Sequence, residues 1–311
     1  MSAPVAADAP TRLQHRHAGV IVVVVAVATL SFGSTLVKET GSPGAVVAFW
    51  RLGISAAVWH AVLAARRVRL TRADWRSVLP AGVLFGVNLV CFFTAVRLTR
   101  IANAEFTGAL APALVVPVAA WRLREKVSLR TIVLGLVALA GVSLIVLTAA
   151  KGGSSLKGDL LAVAAVSAWS AYLLVTKTVR RTVGTSAFMA VMSTVATVVV
   201  APIAISTGKL GAVTAKGWVI IGVMALTSGM LAHGALAWAQ RRVPVSTISI
   251  MQLAQPGMST VWAFIVLGES VRAVQVVGMA IVLVAVGFIA QQAARNAAMP
   301  LPEPDTAGVV G

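Results

Sequence analysis

Uninterrupted apolar runs of about 20 residues recur along this chain, and no other feature restricts its fold as severely. Twenty residues of α-helix rise about 30 Å, the thickness of a bilayer's hydrocarbon core. No water reaches that core, so every backbone N–H and C=O must be satisfied internally, which a helix achieves within one run. Spans are expected at 18–37, 44–64, 78–98, 102–122, 131–150, 158–178, 186–206, 217–239, 246–267 and 273–292, ten in all. With 59% hydrophobic and 11% charged residues over 311 positions, too little polar surface remains to clothe a soluble globule. The expected class is an all-α membrane protein. The first run contains Ala26-Val27-Ala28, a small-x-small triplet of the kind that ends a signal peptide. Because the apolar stretch continues to Val37 with no polar sequence behind it, it reads as a retained span.

Charge sets the orientation. Lys and Arg number 26 against 9 Asp and Glu, a net +17. In a soluble protein that excess points to nucleic acid, but here the basic residues fall in short loops between apolar runs, which is how membrane proteins are oriented. With the N-terminus in the cytoplasm, 17 basic residues lie on the cytoplasmic side and 8 outside, Arg51 within a span being the last of the 26. Both termini are therefore expected in the cytoplasm of a cell carrying this chain in its inner (plasma) membrane. Residues 1–17 and 293–311 are expected to be disordered tails. The single cysteine, Cys91, lies inside a run, so neither a disulfide nor a cysteine metal site is available.

Shifting the chain by 144 residues places Pro112 on Pro256, Glu125 on Glu269 and Arg97 on Arg241. Proline and glutamate are scarce here, so their coincidence at one offset indicates an internal duplication, 18–150 and 158–292. Five spans per copy is an odd number, so the second copy enters the membrane upside down. Two inverted five-helix repeats form a transporter architecture, because they generate related conformations open to opposite sides.

Few polar residues interrupt the spans. Pro112 and Pro256 each remove an i→i−4 hydrogen bond and free a carbonyl, at Gly108 and Gln252; they mark either a packing kink or a hinge beside a cavity. Ser249, Gln252, Gln255 and Ser259 recur at helical spacing on one face, for interhelical hydrogen bonding or a polar substrate path. Arg51 and Glu105 are charges inside spans, each costing about 2.5–3.5 kcal/mol at a helix centre, and they either pair with each other or meet a substrate or proton. Asn88 and His233 occupy nearly equivalent repeat positions; His233 is a hydrogen-bonded core histidine or a proton-sensitive group. Trp169 and Tyr172 lie deep in their span, for packing or for stacking on an organic substrate. Glu125 and Glu269 follow spans and are expected to order a tight turn or the next helix N-terminus.

A span with a central proline, then RLREKVS or VLGESVR, then a Gly-bearing apolar span, resembles the EamA-type domain of the drug/metabolite transporter superfamily. FGSTLVKE at 32–39 and AFWR at 48–51 resemble the opening of the first domain, and GDLLAVAAVSAWSAYLLVTK at 158–177 that of the second. The resemblance covers residues 18–292 and implies a carrier of amino acids, amines, other metabolites or drugs, often an exporter. Two departures bear on mechanism: the GALNK-like signature of nucleotide-sugar relatives is absent, and span 1 lacks the membrane glutamate of the four-helix multidrug relatives.

The expected function is a secondary transporter of a small organic metabolite working by alternating access, with a passive channel or membrane scaffold as the competing class. The implied partners are a small-molecule substrate and the lipid bilayer, with a homodimer admitted and nucleic acid not. No cofactor or metal is expected. An enzyme is disfavoured, because neither H-E-x-x-H nor G-x-S-x-G occurs, and the absence of G-x-x-x-x-G-K-[ST] removes ATP hydrolysis by that route.

Overall fold

A computed structural model describes residues 9–98, 101–147, 155–267 and 271–298, and within them all regular structure is helical. The first half holds α1 (Ala9–Glu39), α2 (Gly44–Ala65), α3 (Arg72–Leu98), α4 (Ile101–Gly108), α5 (Ala111–Arg122) and α6 (Leu129–Leu147). The second holds α7 (Leu156–Val179), α8 (Thr185–Ser206), α9 (Ala215–Met224), α10 (His233–Ala239), α11 (Val245–Met251), α12 (Gln255–Leu267) and α13 (Ala273–Ala298). Among the described residues seven helical segments are long and apolar enough to cross a membrane, and Ala18–Gly33 and Leu129–Ile145 are shorter apolar helices. Helix boundaries differ from the expected tails. α1 starts at Ala9 and α13 runs to Ala298, since Ala, Arg and Gln are good helix formers and carry each helix past its apolar part.

Three crossings are interrupted rather than straight. α4 and α5 are separated by a turn at 109–110, and Pro112, in the first turn of α5, cannot donate back to Gly108. The equivalent break, 144 residues on, is a 3₁₀ turn at Gln252–Ala254 preceding Pro256. There the Gln252 carbonyl is not left free, as the proline alone implies; the Gln255 N–H takes it in the tighter i→i+3 pattern. Between α9 and α10 the chain widens into a π turn, Ala225–Ala232. A Cβ built on Gly229 in this turn would lie 2.9 Å from Ser55 Oγ and 3.4 Å from Arg51 Nε, so the missing side chain lets the turn press onto α2.

Packing between the halves is reciprocal. α3 packs on α7 as α1 packs on the π turn and α10; α4 and α5 meet α7 as α11 and α12 meet α1; α2 pairs with α8 and α6 with α13. Each of these contacts has its counterpart under exchange of the two halves, the pattern a two-fold relation produces. The α6–α13 crossing is close enough to require glycine. A Cβ on Gly278 would lie 2.7 Å from the Gly141 carbonyl oxygen, and one on Gly141 would lie 2.8 Å from that of Gly278. Small residues at such a crossing let backbones approach and maximise dispersion contact, which must drive helix association where lipid removes the hydrophobic incentive.

The face carrying the starts of α1, α3, α6 and α11 and the ends of α5, α7, α10 and α13 also carries most of the arginines and is termed the basic face. Arg180, 1% exposed, organises part of it. Its guanidinium donates to the carbonyls of Ala237 (2.9 Å) and Val183 and to Thr185 Oγ1, tying the end of α7 to α10 and the start of α8. Burial, then the neighbouring Arg241, holds Arg180 down to about 10, still protonated at neutral pH.

Candidate functional site

A cavity of about 120 Å³ lies where the interrupted helices converge. Arg51 stands about two turns from the start of α2, Glu105 about one turn from the start of α4, and Ala162 under two turns from the start of α7. These starts lie opposite the basic face, so the cavity occupies the middle of the bundle and the half away from that face. Of the residues expected from sequence, Arg51, Asn88, Glu105, Trp169, His233, Gln252, Gln255 and Pro256 line it. Six spans, holding residues up to 205 positions apart in the chain, are thereby brought to one place.

Arg51 is 3% exposed and its guanidinium lies over the Phe93 ring, 5.5 Å from the centroid. Its Nε is buried without a hydrogen-bond partner. A desolvated cation held against an aromatic face with a donor to spare is suited to an anionic group such as a carboxylate. Glu105, 9% exposed, brings the opposite charge to the same cavity. Asn88 is oriented by its Nδ2 bond to the Ala165 carbonyl at 2.9 Å. Trp169 donates its indole N–H to Gln252 Oε1 at 3.1 Å, which leaves Gln252 Nε2 buried and unpartnered.

An aromatic cluster backs this polar set. Trp169 stacks on Tyr172 (5.1 Å between centroids, 27° between planes), and Phe85 meets His233 edge-on at 4.7 Å. His233 Nδ1 is buried without a hydrogen-bond partner.

Tyr172, Ser249 and Pro112 do not line the cavity. Tyr172 is 1% exposed and supports Trp169 from behind. Ser249 is fully buried, and its hydroxyl is consumed by the Ser246 carbonyl at 2.8 Å. Pro112 is half-buried on α5, outside the cavity, whereas Pro256 lies on its wall. Sequence reasoning missed Ser31, Phe93 and Ser228, which also line it. Ser31 lies in FGST's immediate neighbourhood at the polar end of α1, a usable signal; Phe93 carried none, being one more apolar residue in an apolar run.

The basic face is closed by a contact between repeats. Glu125, just past α5, accepts from the backbone N–H groups of Val245 (2.8 Å) and Ser246 (3.0 Å) and from Ser246 Oγ (2.6 Å). The carboxylate thus caps a helix N-terminus, as expected in kind, but that of α11, 120 residues away, and not that of the next helix. Glu269 lies outside the described residues. Between this contact and the cavity, Val115 and Ala119 of α5 and Ile248 and Met251 of α11 are buried to 1% exposure or less and plug the passage. On the opposite face Glu39 pairs with Lys216 at 2.7 Å, an exposed contact.

The EamA-like transporter family pattern matches the chain twice, over residues 17–147 and 156–291. The threonine/homoserine exporter of Salmonella typhimurium is 25% identical over 280 residues, covering 86% of this chain and 89% of that protein. The pseudopaline exporter of Pseudomonas aeruginosa is 30% identical over 130 residues, 41% of this chain, and the match spans about half of that relative's length, 46%. A crystal structure superposes with a TM-score of 0.72 at 20% identity, covering 88% of this chain and 98% of the other, which shows the shared fold. Family and relatives are transporters, not enzymes. With both halves matched, the chain belongs to the EamA-like transporter family, as a multi-pass membrane protein built from two copies of its domain.

Proposed function

We propose that this protein is a secondary exporter of a small zwitterionic metabolite of amino-acid type, working by alternating access in the inner membrane. The observation that carries the reading is the presence of both Arg51 and Glu105 on the wall of one small cavity: a buried cation for a carboxylate and a carboxylate for an ammonium. Two charges inside spans are costly enough that a transport role is their best justification. Size supports the same class. At 120 Å³ the cavity falls below the ~300 Å³ lower bound of pockets for drug-sized ligands. Trp169, Phe92 and Phe93 offer apolar surface to the substrate's side chain. Relatives that export threonine, homoserine and pseudopaline support both the direction and the class.

The arrangement is ten spans as two inverted repeats, both termini cytoplasmic, with the basic face inward as the positive-inside rule requires. The state described is then closed to the cytoplasm by Glu125 and the plug beneath it. Interruptions at Pro112 and Pro256 are the hinges about which the two halves exchange states.

Counterflow in proteoliposomes tests this. Vesicles loaded with L-threonine or L-homoserine should accumulate the labelled compound, while the matching amine without its carboxylate, and the hydroxy acid without its amine, should not compete. Arg51→Gln should lose zwitterion counterflow in a protein that still folds. Equal competition by all three solutes refutes the zwitterion reading, and flux without saturation or counterflow shows a channel instead.

A further inference from the structure

A second, larger cavity of about 520 Å³ opens on the basic face, bounded by the ends of α5, α7 and α13 and the starts of α6 and α11. Lys126, Lys177, Arg181, Arg241 and Arg242 surround it, and Glu125 is the one acidic residue on its wall. Glu125, whose oxygens accept from Val245 and Ser246, sets a single negative charge against the five positive ones. The cations themselves meet only neutral acceptors. Lys177 Nζ donates to the carbonyls of Gln240 (2.6 Å) and Val243 (2.8 Å), and Arg241 Nη2 to that of Arg181. Arg242 Nη1 reaches the Trp238 carbonyl while its guanidinium lies 3.6 Å above the Trp238 ring. The Lys126 and Arg181 side chains have no hydrogen bond or ion pair among the described residues. Burial, then the neighbouring Arg241, lowers Arg242 from its ordinary value.

Five cations against one carboxylate leave the cavity with a net positive charge, which favours a further anion. The other walls narrow its nature. Val20, Leu123 and Ile289 are apolar, and Gln292, whose Nε2 donates to Ser128 Oγ, leaves its Oε1 buried with no donor. That acceptor suits a hydroxyl, not a second anionic oxygen. The volume is about 17 times the ~30 Å³ share of one liquid water, more than a single simple ion fills. Arginine forks match phosphate oxygens in pairs, and basic pockets between helices at this depth face the phosphates of the inner leaflet.

We propose that this cavity binds a phosphate ester, presented either by an anionic phospholipid headgroup such as phosphatidylglycerol or by a soluble organic phosphate. The group sits among Lys126, Arg181, Arg241 and Arg242, with its hydroxyl-bearing part toward Gln292. This assignment does not depend on what the central cavity carries.

Thermal unfolding of the full-length protein in neutral detergent distinguishes the sources, with phosphatidylglycerol, phosphatidylcholine and glycerol 3-phosphate added separately at constant ionic strength. Phosphatidylglycerol should raise Tm by roughly 3–8 °C near saturation, and phosphatidylcholine should not. The double variant Lys126→Gln/Arg181→Gln removes two exposed side chains without internal partners, so it should fold normally and need at least tenfold more phosphatidylglycerol for half the shift. A shift with phosphatidylglycerol alone assigns the site to lipid. One produced also by glycerol 3-phosphate and lost in the variant assigns it to soluble phosphate esters. No shift with either compound, or a full shift retained in the double variant, overturns the proposal.

Discussion

Replacing Glu125 with Gln tests whether one side chain holds the basic face shut. The carboxylate accepts three hydrogen bonds of 2.6–3.0 Å, two of them from backbone N–H groups at the start of α11. Losing a helix N-cap costs about 0.5–2 kcal/mol, and losing a negative charge from a partly buried helix N-terminus a further ~0.3–2 kcal/mol. Glutamine keeps one acceptor oxygen and little of the charge, so about 2 kcal/mol is expected, roughly 30-fold in the ratio of closed to open basic face. Ser249 reports this ratio well, being fully buried one turn beyond the contact. In a Cys91→Ala background, Ser249→Cys provides the only thiol. Its reaction with a water-soluble maleimide applied to the basic face, in inside-out vesicles, should be about 30-fold faster with Glu125→Gln than without it. Glu39→Gln is the control, because its pair with Lys216 is exposed (Glu39 38%, Lys216 69%) and worth under ~1 kcal/mol. A labelling rate changed by less than threefold in a monodisperse, folded Glu125→Gln protein would refute the reasoning.

Gly278→Ala should separate α6 from α13, since the new Cβ would lie 2.7 Å from a backbone oxygen; a cost of about 1–3 kcal/mol should appear as a lowered Tm, while Gly222→Ala, with nothing within 4 Å, should not lower it. Trp169→Phe keeps the stack on Tyr172 but strips Gln252 of its donor, leaving a buried amide with no partner; Tm should fall by the equivalent of about 1–3 kcal/mol, and an unchanged Tm would show the bond to be dispensable. Reporter fusions at Gly184 and Gly208, at opposite ends of α8, should report the cytoplasm and the outside respectively, and the reverse result would invert the orientation.

By itself the sequence determined that the chain is a bundle of membrane-crossing helices in two related halves, because a bilayer leaves a long apolar run one way to satisfy its backbone. It also singled out Arg51, Glu105, Asn88, Trp169, His233 and Gln252, since a polar or bulky aromatic residue deep in a span is costly enough to need a purpose. It could not separate these from Ser249 and Tyr172, which share their helical faces. In water a helix turns its apolar side inward, so pattern gives its rotation. Here lipid and protein interior are both apolar, so rotation is decided by the shape of neighbouring helices. Only the assembled bundle buried Ser249 and Tyr172 away from the cavity that Trp169 and Gln252 line. Long-range partners were hidden for a related reason. Glu125 reads as a local cap because sequence displays neighbours in the chain, whereas the N–H groups that hold it begin a helix 120 residues away. Folding the second repeat against the first brought those groups within 3.0 Å, and with them the closed basic face.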